Sequence, residues 1–171
     1  MPNGSVRRFQ IAQAQAHAGF AEAMSELRAS QKRSHWIWYV FPQLVGLGSS
    51  APAVEYGIRG AEEAAEYLRD PVLSTRLLEA TREVANQLET GVTLRALMGS
   101  EIDALKLVSS LTLFESVAEQ LSADDASADL RTLAELASVV LSARTFRGIH
   151  VAASRVNVSP RSIPVPRRDH E

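Results

Sequence analysis

A chain of 171 residues with a formal charge of −2 and a sequence pI near 6.1 fits one domain with a real core. Balanced charge gives no global field to recruit nucleic acid or anionic lipid, so a nucleic-acid partner is not expected. Cysteine is absent, which excludes a disulfide framework, a thiol nucleophile and a cysteine-ligated metal, and suits a reducing cytosol.

The opening MPNGSVRRFQ has basic residues but no hydrophobic core behind them, so it is not a secretory signal. No apolar run reaches the ~20 residues of a membrane span. A cytoplasmic protein with no membrane partner is expected. Phe9, Ala12, Ala16, Phe20, Met24 and Leu27 recur every three or four residues, the stripe of one amphipathic helix over about 6–29. The polar segment SQKRS at 30–34 breaks it.

The chain has ten aromatic residues, and four of them (Trp36, Trp38, Tyr39 and Phe41) fall within SHWIWYVFPQ at 34–43. Propensity reads 35–41 as a strand. No partner strand exists elsewhere, and a lone strand leaves its backbone groups unpaired. The expectation is therefore one or two helical turns, with Ser34 as N-cap and a stop before Pro42. Residues 41–60 hold two prolines and four glycines and read as an irregular loop.

AEEAAEYLR after Gly60 predicts a short helix. Asp70–Pro71 marks the next start: Asp70 caps free N–H groups and Pro71 suits the first helical position. Leu73, Leu77, Ala80, Val84 and Leu88 carry that helix to a stop at Gly91. Thr93 caps a short turn ending at Gly99. Ser100, with Asp103 three residues on, opens a long helix as an acidic variant of the capping box. A further helix is expected over 128–145. The Pro-, Arg- and Ser-rich end, 150–171, lacks periodicity and reads as a disordered tail. The fold class is all-α: a single compact domain of five to six helices over 6–149, with an irregular 41–60 loop.

KRSHWIWYVFPQLVGLGSS, AVEYGI, AEYLRDPVLSTRL, MGSEIDALKL and SSLTLF resemble, in order and spacing, the family called domain of unknown function 1810, over about residues 9–114. The resemblance implies a compact all-helical fold and supplies no reaction. Some family members carry the name calpastatin. Calpastatins are long disordered repeat inhibitors, which this short periodic chain does not resemble. After Phe114 the chain departs from the family pattern: from about Ser122 it turns Ala-, Ser- and Arg-rich where members end in a leucine-rich helix.

The residues prescribe no reaction and call for no cofactor, but they do name candidates. His35 is of the residue type that suits a proton shuttle, or else it is a core histidine bonded to a carbonyl. The family motif retains it between a small residue and a tryptophan, which adds weight to the first role. Trp36 and Trp38, two apart, point in different directions on a helical turn, so one suits the core and the other an aromatic wall. Tyr56 and Gln43 are candidates for the rim of such a wall.

Asp103, Lys106 and Ser110 form a polar stripe on the long helix, with Ser109 and Thr112 beside it. Its bland reading is a capping box plus an i,i+3 ion pair. Its functional reading is a pocket for an anion, because buried hydroxyls and a lysine cost on the order of 1–3 kcal/mol each without partners. A Ser110–Lys106 nucleophile pair lacks an elbow and oxyanion donors. The four histidines are scattered with no metal-ligand spacing, so no metal site is expected. Three readings stand: a small anionic or nucleotide-derived ligand bound in a polar-aromatic pocket, an interaction module with exposed tryptophans, and a purely structural role.

Overall fold

Capping chemistry sets most of the helix boundaries. The computed structural model describes residues 5–124 and 127–145, and the expected tail at 150–171 lies outside them. The described residues form an all-α domain of nine helices, six of them at least seven residues long, with no strand. In order these are α1 (Arg7–Gln13), α2 (Phe20–Arg28), α3 (Ile37–Val40), α4 (Ala51–Glu55), α5 (Ala61–Arg69), α6 (Pro71–Glu89), α7 (Leu94–Met98), α8 (Glu101–Asp124) and α9 (Ala128–Thr145). Among the described residues no helix is long and apolar enough to cross a membrane.

The single helix expected over 6–29 is two helices. Ala18 takes a left-handed φ of 54°, and its N–H is held by the Glu22 carboxylate while its carbonyl accepts from the Tyr39 hydroxyl at 2.6 Å. Gly19 follows where only glycine fits: a Cβ there would lie 2.0 Å from the Gln15 carbonyl oxygen. The apolar stripe resumes in α2, burying Ala23, Met24 and Leu27, whereas Ala16 is exposed in the break.

The aromatic stretch is helical at α3, as expected, but Ser34 is not its cap. Trp36 holds the N-cap position, with no capping bond from its side chain, and the Ser34 hydroxyl is engaged by Glu26 instead. The 41–60 loop also has internal order. Ser50 accepts from the Ala53 N–H to start α4, with proline in its first turn. Val45 N–H donates to the Ile58 carbonyl and Ile58 N–H to the Gln43 carbonyl, each at 2.9 Å, which makes an isolated parallel bridge between Leu44 and Ile58.

Asp70 both ends α5 and caps α6, accepting from Val72 and Leu73 N–H at 3.1 and 2.9 Å. Thr93 caps α7, and Gly99 closes it in the left-handed region. Ser100 accepts from the Asp103 N–H at 3.1 Å, which is half of a capping box. α8 packs along α9, α9 lies against α6, and α5 and α7 flank α8. The core runs from Phe9 through Trp36, Phe41, Tyr67 and Phe114 to Val140, all below 2 % exposure, and burial of the core as a whole supplies the main driving force for folding.

Candidate functional site

The segment between α2 and α3 is organised by one carboxylate. Glu26 sits on the last turn of α2, beside the buried Leu27. It accepts from Arg33 N–H at 2.7 Å, from Ser34 N–H at 3.0 Å, from the Ser34 hydroxyl, and from Trp36 Nε1–H at 2.7 Å. Burial alone would raise its pKa, but these donors outweigh burial and hold it at about 2. Glu26 is therefore an anion that folds the segment around itself and fixes the Trp36 ring.

The same segment supplies a lysine. Lys32 N–H donates to the Leu97 carbonyl at 2.8 Å, and a Cβ on Gly99 would come within 3.1 Å of the Lys32 carbonyl, so the segment lies tight against α7. The Lys32 ammonium donates to the Ser34 carbonyl at 2.6 Å and meets Oδ2 of Asp103 at 2.8 Å. Oδ1 of Asp103 accepts from Lys106 at 2.8 Å. Burial works against the Asp103 charge, yet hydrogen bonds and charge from Lys106 and Lys32 prevail and lower its pKa. Two cations on one anion leave the trio with one excess positive charge.

That excess is presented by Lys106. Its side chain is 18 % exposed against 5 % for Lys32, and its ammonium lies 3.8 Å from the Trp38 ring centroid, a close cation–π contact. Of the two tryptophans, Trp36 is fully buried in the core and Trp38 is half-buried beneath Lys106. Neither is an exposed anchor.

Asp103, Lys106 and Trp38 thus come together. The other candidates do not join them by any bond. His35 is exposed and has no hydrogen bond or ion pair among the described residues. Tyr56 packs its ring on Phe9 and Tyr39, with centroids 6.2 and 5.1 Å apart, on the α1 side. Gln43 contributes its main-chain carbonyl to the bridge with Ile58. Ser109 is half-buried. Ser110 is fully buried, and its hydroxyl is the one buried side-chain polar atom without a partner among the described residues. Lys106 bonds Asp103 and not Ser110, so no Ser–Lys pair forms. No group of three or more His, Asp or Glu side chains is placed to hold a metal among the described residues.

Glu26 and Lys32 are absent from the sequence-derived candidates. Their types and spacing resemble a solvated helix end. The available signal was position: Glu26 is three residues beyond Ala23 and adjacent to Leu27, so it borders the apolar stripe.

A family model described as "Protein of unknown function (DUF1810)" matches residues 3–130. No curated protein matches the chain. Among solved structures, the crystal structure of the conserved hypothetical protein Rv1873 from Mycobacterium tuberculosis is similar. It has 43 % identity and a TM-score of 0.62, over 75 % of this chain and 83 % of that one.

Proposed function

The chain belongs to the DUF1810 family of proteins of unknown function, and we propose that it binds a small anionic or nucleotide-derived ligand at Lys106. The supporting observation is the shared carboxylate. Asp103 is divided between two ammonium groups, so the more exposed one keeps an uncompensated charge and unused donors. Lys106 already covers one face of Trp38, so recognition rests on the anionic group of the ligand, with any ring confined to the edge or the remaining face of the indole. His35, exposed three residues before Trp38, is available for a hydrogen bond to the ligand.

Thermal shift tests this with inorganic phosphate and a panel of nucleoside monophosphates at constant ionic strength. Wild-type protein is expected to gain melting temperature with at least one of them, and Lys106→Ala to lose that gain while its own unliganded melting point barely moves. A gain that survives Lys106→Ala, or no gain in the wild type, would sink the proposal.

The structural reading has its own specific support in the near-complete burial of Lys32. A salt bridge with a side chain 5 % exposed ties the α2–α3 segment to α8 whether or not a ligand ever arrives. The two readings divide the lysines between them: Lys32 fastens, Lys106 receives.

A further inference from the structure

Four cations among the described residues are at least half-buried: Arg8, Lys32, Arg76 and Lys106. Three of them meet a carboxylate, Arg8 at Glu63 and both lysines at Asp103. Arg76, on the second turn of α6, meets none.

Its one side-chain hydrogen bond among the described residues runs from Nη1 to Oε1 of Gln13, at 3.3 Å. Gln13 is itself locked, because its Nε2 donates to the Tyr39 carbonyl at 2.7 Å and to the Tyr67 hydroxyl at 3.0 Å. Its amide oxygen is therefore aimed at Arg76 by two buried bonds. On another side, the Arg76 guanidinium lies 5.3 Å from the Phe20 ring centroid. The nearby Asp70 is committed elsewhere, capping α6 and accepting from Gln10 at 2.6 Å.

A guanidinium carries five N–H donors in a planar fork, and here one is used. The rest have no partner among the described residues and none is a buried orphan, a status only Ser110 Oγ has there, and the Arg76 side chain is partly exposed. Compare Arg8, whose donors all go to Glu63 and to the carbonyls of Ser5, Glu55 and Gly57. Arg8 is a closed clamp. Arg76 is held by an amide and a ring and has its fork open.

We propose that Arg76 is the anchor of a second binding position, which takes an oxyanion, a carboxylate or a phosphate ester, in bidentate fashion. Such groups match the fork geometry, which a lysine cannot reproduce. Gln13 and Phe20 hold the guanidinium in place before the ligand arrives, which spares the ordering cost a free arginine would incur on binding. The position stands on α6 and α1 and is independent of Lys106.

The test is NMR of arginine side-chain Nε–H groups in the full chain, titrated with inorganic phosphate, with acetate and with chloride at fixed ionic strength. A saturable shift of Arg76 and of the Gln13 amide is expected with an oxyanion and not with chloride. Saturation by phosphate alone marks a phosphate ester as the ligand, and saturation by acetate marks a carboxylate-accepting site. Arg76→Met, which keeps an apolar cover on Phe20, should lose the Gln13 response, and Arg76→Lys should weaken it several-fold. Lys106→Ala should leave it unchanged. A linear, unsaturable drift in the wild type, or full affinity in Arg76→Lys, overturns the proposal and leaves Arg76 as a cover for Phe20.

Discussion

Lys32 and Asp103 meet at 2.8 Å with side chains 5 % and 17 % exposed, joining the α2–α3 segment to the first turn of α8. Because Asp103 also holds Lys106, the three members of the trio rank. Asp103→Ala should be worst, at about 3–5 kcal/mol, since it leaves Lys32 buried with no carboxylate, only the Ser34 carbonyl and the Trp36 ring. Lys32→Met should cost about 1–3 kcal/mol, as Asp103 keeps Lys106 and the Ser34 carbonyl loses a donor. Lys106→Ala should cost less than about 1 kcal/mol, as expected of a partly exposed pair whose carboxylate keeps another cation. Urea denaturation of the three variants checks the order, and equal costs for Lys32 and Lys106 would contradict the burial argument.

Glu26 should govern the acid limb of stability. Its folded pKa of about 2 lies below the ordinary 4.5, so the carboxylate stabilises the fold above pH 4.5. That contribution is lost as pH falls from about 4.5 to about 2. Its full size is on the order of 3 kcal/mol. Glu26→Gln should be destabilised near neutral pH, because an amide puts N–H groups against donors that need an acceptor. Its melting temperature should also fall less between pH 5 and pH 3 than that of the wild type. Parallel curves for the two proteins would show that another group sets the acid limb.

Gly19→Ala should break the α1–α2 turn. The added carbon would meet main-chain oxygen, which cannot swing aside as a flexible side chain would. A loss of more than about 2 kcal/mol is expected. Calorimetric melting checks it, and a near-neutral result would mean that the chain reroutes between Gln15 and Phe20 at little cost.

The two tryptophans should separate in fluorescence. In Trp38→Phe the remaining Trp36, fully buried, should emit to the blue and resist acrylamide. In Trp36→Phe the remaining Trp38 should be quenched more readily, and removing Lys106 in that background should expose it further. Equal quenching of both single-tryptophan proteins would contradict the burial described.

Local chemistry was legible in the sequence and long-range chemistry was not. Asp70, Thr93 and Ser100 were readable as caps because each acts within three residues of itself. The Asp103–Lys106 pair was readable for the same reason. The α1–α2 break was hidden because the apolar stripe keeps its phase across it, and the hydroxyl that helps fix Ala18 comes from Tyr39. α4 was missed although Ser50 and Pro52 mark its start, since four glycines nearby dominate the composition. Lys32 looked like a solvated lysine because its partner lies far along the chain, and nothing local demands that a lysine after α2 be buried.

A carboxylate with two cations also shapes how this sequence can drift. Either lysine can be lost while the other still neutralises Asp103, so each single change is tolerable in a background that retains its twin. Losing both strands the anion, and the pair of changes should cost more than their sum. Descendants therefore reach a lysine-free version of this corner most readily by giving up Asp103 along with the second lysine. The order in which the three residues change constrains the lineage as much as their identities do.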